Sequence, residues 1–200
     1  MESRSESLAD EPEGRVKGTV LAARIQYVAK RGEADLAAWK AELSPAAREL
    51  VEVGPLVNGW YPFTIFLELS ESIDRVFGTG DGALCRELGR ASFDKYSKTL
   101  YRLVFRALTI DFLVRRAKVA WQLHYDVGSL ESDSETLPDG RKRIQIRLHD
   151  MPEPHPAHCQ SVRGWIVRAA EITGASEIEE RCVDCRRRGD RDCSFELIHR

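Results

Sequence analysis

Residues 141–150, RKRIQIRLHD, set Ile144, Ile146 and Leu148 in alternation with Arg143, Gln145 and Arg147. A period of two with one apolar side is a half-buried antiparallel strand. Working downstream, residues 151–156 (MPEPHP) read as a rigid extended connector. Residues 157–173 (AHCQSVRGWIVRAAEIT) read as a helix that stops at Gly174. Residues 177–185 and 192–199 then supply two more strands. Upstream, residues 119–127 alternate Trp121, Leu123 and Tyr125 with polar partners, which predicts the strand preceding 141–150. The Ser- and Asp-rich link through Pro138-Asp139-Gly140 is expected to be their hairpin loop. The order is β-β-α-β-β.

The preceding chain is helical. Residues 33–43 (EADLAAWKAEL) place Leu36, Trp39 and Leu43 on one stripe. Ser44-Pro45 is an N-cap followed by a first-turn proline, so another helix runs to about Val51. Residues 63–77 repeat the pattern with Phe66, Leu69, Ile73 and Phe77. Asp81 caps a long helical region through about Ala107 that can bend at Gly89, and residues 109–119 are helical again. Residues 16–28 are apolar enough for core, either as a strand leading into a helix or as a helix throughout. Gly54 to Pro62 is a loop; its Trp60 and Tyr61 either plug the core or wall a pocket. The fold class expected is α+β, with N-terminal helices packed on a twisted antiparallel sheet.

Composition limits the function. The chain of 200 residues is 42% hydrophobic and 31% charged, which suits one soluble globular domain over residues 15–200. Residues 1–14 are acidic, Ser-rich and too poor in apolar groups to bury themselves, so a disordered tail is expected. A formal net charge of −2 argues against a nucleic-acid partner. No segment has the length or apolarity of a membrane span, and no signal-type start is present, so a cytoplasmic location is expected. No phosphate loop, nucleophile elbow or carboxylate pair is present, and an enzyme is not expected.

Four cysteines stand apart from this frame. Cys159, Cys182, Cys185 and Cys193 follow the pattern C-x22-C-x2-C-x7-C. Two thiolates three residues apart can face one ion, and Zn²⁺ takes four such ligands at about 2.3 Å. A hairpin with its tip at Arg187–Asp190 would carry Cys185 and Cys193, and Cys159 would close a structural zinc site. His155 and His158 are substitute ligands. The same thiols could instead be buried as small apolar groups, or Cys182 and Cys185 could form a redox pair or disulfide. Cys85, within a helix, is expected in the core.

The hairpin, Cys185 to Phe195 with Arg188-Gly189-Asp190 inside it, resembles the closing hairpin of 4-vinyl reductase-type domains. That family includes effector-binding domains of aromatic-responsive transcription activators, and is related in fold to haem–nitric-oxide-binding domains and vesicle-tethering subunits. The resemblance covers residues 119–199. It implies zinc on Cys159, Cys185 and Cys193, with Cys182 in place of the family's glutamate. The V-K-G opening, the W-Y-P loop and the P-x-P-H segment also resemble an uncharacterised bacterial paralogue family of similar length.

The function expected is a non-catalytic sensory or regulatory module that binds a small hydrophobic or aromatic ligand and signals through a homodimer or a partner protein. Trp60, Tyr61, Trp121, His124 and Trp165 are the candidate ligand contacts. The alternative is a scaffold subunit, of the tethering-complex kind, with a solid core and no ligand.

Overall fold

The computed structural model describes residues 14–97, 109–152 and 154–200. The expected tail (apart from Gly14) and the helical stretch from 98 to 107 lie outside these residues. The chain opens with a short strand, β1 (Arg15–Lys17), which turns directly into helix α1 (Gly18–Ala29). The strand-then-helix alternative for residues 16–28 is therefore the observed one. Three helices follow before the first long one ends: α2 (Glu33–Ala41), α3 (Pro45–Val53) and α4 (Phe63–Phe77). The Ser44 hydroxyl accepts from the Ala47 N–H at 3.3 Å and Pro45 fills the first turn, as the cap pattern predicts. Strand β2 (Trp60–Pro62) pairs antiparallel with β1, Val16 opposite Tyr61.

Helix α5 (Ala83–Ser97) starts where the Asp81 carboxylate accepts from the Ala83 N–H at 2.9 Å. Beyond it come α6 (Ile110–Gln122), β3 (Ser129–Thr136), β4 (Lys142–His149), α7 (Pro156–Ile172), β5 (Glu179–Asp184) and β6 (Cys193–His199). The four strands form one antiparallel sheet in the order β3-β4-β6-β5. Its register puts Ile144 opposite Leu197, Ile146 opposite Phe195 and Leu148 opposite Cys193. All six are buried, so the alternation in β4 and β6 builds one apolar face.

The other face is ionic. Arg147 reaches Asp133 at 3.3 Å, Arg143 pairs with Glu135, and Arg181 holds the buried Glu196 at 2.7 Å. The helices cover the apolar face. Gly89 of α5 and Gly164 of α7 lie at their crossing: a Cβ on either would stand 2.0 Å from the backbone oxygen of Ser161 or Arg86.

One strand is displaced from its expected place. Residues 119–122 continue helix α6, and the first strand of the sheet is the Ser- and Asp-rich stretch expected to be a loop. Trp121 and Tyr125 are spaced by four as well as lying in alternation, and they stack at 4.3 Å with an interplanar angle of 21°. Leu123, which the strand reading turned inward, is exposed. Strand β3 can be polar because it is an edge strand with only Leu130 buried, and charges on such an edge discourage pairing with other chains.

Candidate functional site

Helix α6, helix α7 and the apolar face of the sheet leave a cavity of about 280 Å³ between them. Its walls are Ile110, Leu113, Ala117, Ala120 and Trp121 from α6, Val162, Trp165, Ile166 and Ala169 from α7, and Leu130, Ile144, Ile146 and Leu197 from the sheet. Both helices line it with alanines, Ala117 and Ala120 on one and Ala169 and Ala170 on the other.

Few polar groups face it. The His124 ring lies against the Ala120 carbonyl, Nδ1 to oxygen 2.8 Å. A carbonyl only accepts, so Nδ1 carries the hydrogen and Nε2 the lone pair. Burial, the largest influence, lowers the pKa of His124, and the Lys17 charge adds to this against the opposing hydrogen bond. The imidazole is therefore neutral at pH 7. Burial likewise raises the Tyr125 phenol, which stays protonated despite the nearby Arg24. The Ser132 hydroxyl is committed to the Val114 carbonyl at 2.7 Å.

Of the expected ligand contacts, the structure brings Trp121, His124 and Trp165 to this cavity. The Trp121 indole donates to the Val127 carbonyl at 3.0 Å, and Trp165 meets Phe93 edge to face at 4.9 Å. Trp60 and Tyr61 lie elsewhere. Trp60 sits under the Lys17 ammonium at 4.1 Å, and the Tyr61 hydroxyl accepts from the Leu56 N–H at 2.7 Å. Both are half-buried, Tyr61 packs against the core, and neither lines the cavity. Tyr125 and the facing alanines lacked an obvious signal; paired alanines on two otherwise apolar helix faces were the trace of a gap.

The cysteines tell a different story from the one their spacing suggested. Cys159, Cys182, Cys185 and Cys193 do surround a second, smaller cavity of about 170 Å³, with Arg163 and Arg187 at its edge. Among the described residues, however, no group of three or more His, Cys, Asp or Glu is arranged to hold a metal ion. The zinc cofactor and the zinc-stapled hairpin are thereby corrected. Cys182 instead donates to the Asp184 carbonyl at 3.3 Å.

Ordinary hydrogen bonds fix the hairpin. The Cys185 N–H donates to Asp190 at 2.8 Å, Arg188 to the Val183 carbonyl at 2.7 Å, and Arg186 to the Met151 carbonyl. Neither histidine joins the cysteines. The His155 ring Nδ1 caps α7 by accepting from Ala157 N–H, and its Nε2 contacts Glu71 at 2.9 Å. His158 is buried among Phe63, Phe66, Trp121 and Tyr125. Cys85 is in the core as expected, donating to the Ser70 carbonyl, with burial pushing its thiol up to about 12.

No family model and no curated protein matches the chain. Solved structures do. An H-NOX protein from S. oneidensis in the Fe(II)NO ligation state is 14% identical, with a TM-score of 0.66 over 92% of this chain and 99% of that one. The Fe(II) unliganded H-NOX protein from K. algicida is 12% identical, with a TM-score of 0.64 over 92% of this chain and 96% of that one. An oxygen-binding H-NOX domain related to soluble guanylate cyclases is 10% identical, with a TM-score of 0.61 over 92% and 94%. At such identities the likeness is one of fold. It corrects the resemblance to 4-vinyl reductase-type domains, because the matching structures are H-NOX domains.

The H-NOX fold implies haem, and the described residues at this cavity do not fit one. A cavity of about 150 Å³ already holds benzene, so the cavity of about 280 Å³ that the described residues bound has room for one or two rings. For carboxylate side chains of such a group, the lining among the described residues offers the guanidinium of Arg116, already placed over the Phe112 ring at 5.7 Å. No helix among the described residues is long and apolar enough to cross a membrane.

Proposed function

We propose that this chain is a small-molecule-binding sensory module, without chemistry of its own, that takes an apolar ligand of one or two rings and signals through a partner protein. The observation that carries the reading is the cavity of about 280 Å³, lined mainly by apolar side chains among the described residues and faced by a neutral His124. A preformed apolar space with few convergent polar groups is what small-ligand sites consist of. Signalling rests on helix α6. It contributes Ala117, Ala120 and Trp121 to the cavity and carries the exposed Val119, with the exposed Leu123 just beyond its end. A ligand that shifts the inner face of α6 moves the outer face with it, and a partner binding there reads occupancy.

Benzene is a suitable probe because its size lies well within the cavity. Benzene-saturated buffer is expected to raise the melting temperature, by mass action on the folded state. In Ala117→Phe, whose new ring fills the space, the melting temperature without benzene is expected to equal or exceed that of the parent, and benzene no longer raises it. An unchanged parent melting temperature in benzene would contradict the reading.

A further inference from the structure

We propose that the acidic residues 1–13 dock on the outward face of helix α6 of the same chain. That face combines uncommitted cations with apolar side chains. Arg115, Lys118, Val119 and Gln122 stand at helical spacing and are all exposed, and Leu123 follows just past the end of the helix. Val119 and Leu123 keep 46% and 57% of their surface in water. Arg115 and Lys118 form no ion pair among the described residues; the neighbouring Asp111 is held by Lys142 at 2.5 Å. The arginine-rich turn at 186–188 is a poorer receptor for an acidic segment. Arg186 and Arg188 are spent on the carbonyls of Met151 and Val183, and Asp190 already lies 3.6 Å from Arg188.

Residues 1–13, MESRSESLADEPE, complement this face. Glu2, Glu6, Asp10, Glu11 and Glu13 outnumber the one cation, Arg4, and Leu8 lies among them. The segment also starts in the right place. It joins the described residues at Gly14, where a Cβ would stand 2.4 Å from Val127. From there the chain runs back along the residues that follow α6: the Arg15 carbonyl accepts from the Asp126 N–H at 3.1 Å, and the Lys17 N–H donates to the His124 carbonyl at 2.8 Å. Extended, residues 1–13 reach up to about 45 Å, and a helix as long as α6 (Ile110–Gln122) spans about 20 Å. Leu8 can therefore cover Val119 and Leu123 while the carboxylates meet Arg115 and Lys118, and closing so short a loop costs little entropy. The tail would then compete with a partner for this face; that competition rests on the sensory reading, whereas the docking does not.

The test is zero-length carbodiimide coupling of the full chain at low salt, with products sorted by mass and mapped by proteolysis. The expected result is an amide between the Lys118 amine and a carboxylate of residues 1–13 within one chain. Its yield is expected to fall at least about fivefold in about 1 M salt, where the screening length is about 3 Å, and likewise in Arg115→Glu. An unlinked Lys118, or one coupled to acids of the folded part, would overturn the proposal. So would tail coupling spread over Lys17, Lys30 and Lys142, a link found only between two chains, or a link indifferent to both changes. The parent mapping at two salt concentrations decides the matter even if the variant fails to fold. No ligand is needed in the cavity, so the outcome is separate from that of the benzene experiments.

Discussion

Replacing Gly164 by alanine is expected to cost about 3 kcal/mol or more of stability, at the upper end of overpacking effects. The added methyl would stand 2.0 Å from the Arg86 backbone oxygen and 2.9 Å from its carbonyl carbon. Backbone cannot turn aside as a long side chain can, so α5 and α7 must separate. Gly89→Ala makes the mirror-image collision with the Ser161 backbone oxygen, also at 2.0 Å. Separation would also cost the contacts strung along the crossing: the Ser161 hydroxyl on the Cys85 carbonyl at 3.0 Å, and Arg90 on Glu171 at 2.8 Å. The urea midpoint of each variant measures the effect. Parent-like midpoints would mean that the helices do not approach this closely.

The second large effect is a loss of stability in mild acid that originates at His158. The ring is 2% exposed, and four aromatic rings lie 5.1–5.8 Å from it. Its Nε2 has no hydrogen-bond partner among the described residues. Burial above all, then the Arg24 charge, lowers its pKa to about 3. The sign follows from which state binds the proton first. An unfolded histidine protonates near pH 6.5 and the folded one near 3, so between these values the unfolded chain holds the extra proton. Stability therefore falls as pH drops through this window, by about 1.4 kcal/mol per pH unit from this one group. Between pH 7 and pH 5 the contribution is about 2 kcal/mol. His158→Phe keeps an aromatic ring in the cage and removes the proton site. Urea melts at the two pH values are expected to show a smaller acid loss in the variant; equal losses would remove His158 as the cause.

Much of the fold was legible because its strongest signals are local. The alternation in 141–150, the helix at 157–173 and the Ser44-Pro45 cap each describe a segment whose environment its own side chains announce. The register of β4 on β6 follows from matching their apolar positions. Strand β3 was not legible, because an edge strand buries little and so needs few apolar residues; SLESDSET has the composition of a loop. The end of α6 was misplaced for the opposite reason, since Trp121 and Tyr125 satisfy both a strand and a helix.

The candidate site divides in the same way. Trp121, His124 and Trp165 could be named from the sequence, but a cavity is a property of two helices and a sheet together. The alanines that line it look like ordinary helix formers. The cysteine spacing did place four thiols around one space, yet spacing alone does not reveal that no metal-holding geometry results among the described residues.

The most direct test of the central claim uses the four tryptophans as reporters. With 5-fluorotryptophan incorporated, fluorine NMR gives one resonance each for Trp39, Trp60, Trp121 and Trp165. Trp121 and Trp165 wall the cavity, Trp39 is buried against Ser72, and Trp60 lies beside Lys17. Titration with benzene is expected to move the Trp121 and Trp165 signals saturably while the other two stay in place. If all four signals stay unchanged, or all drift together without saturation, the cavity does not hold a ligand and the sensory reading fails.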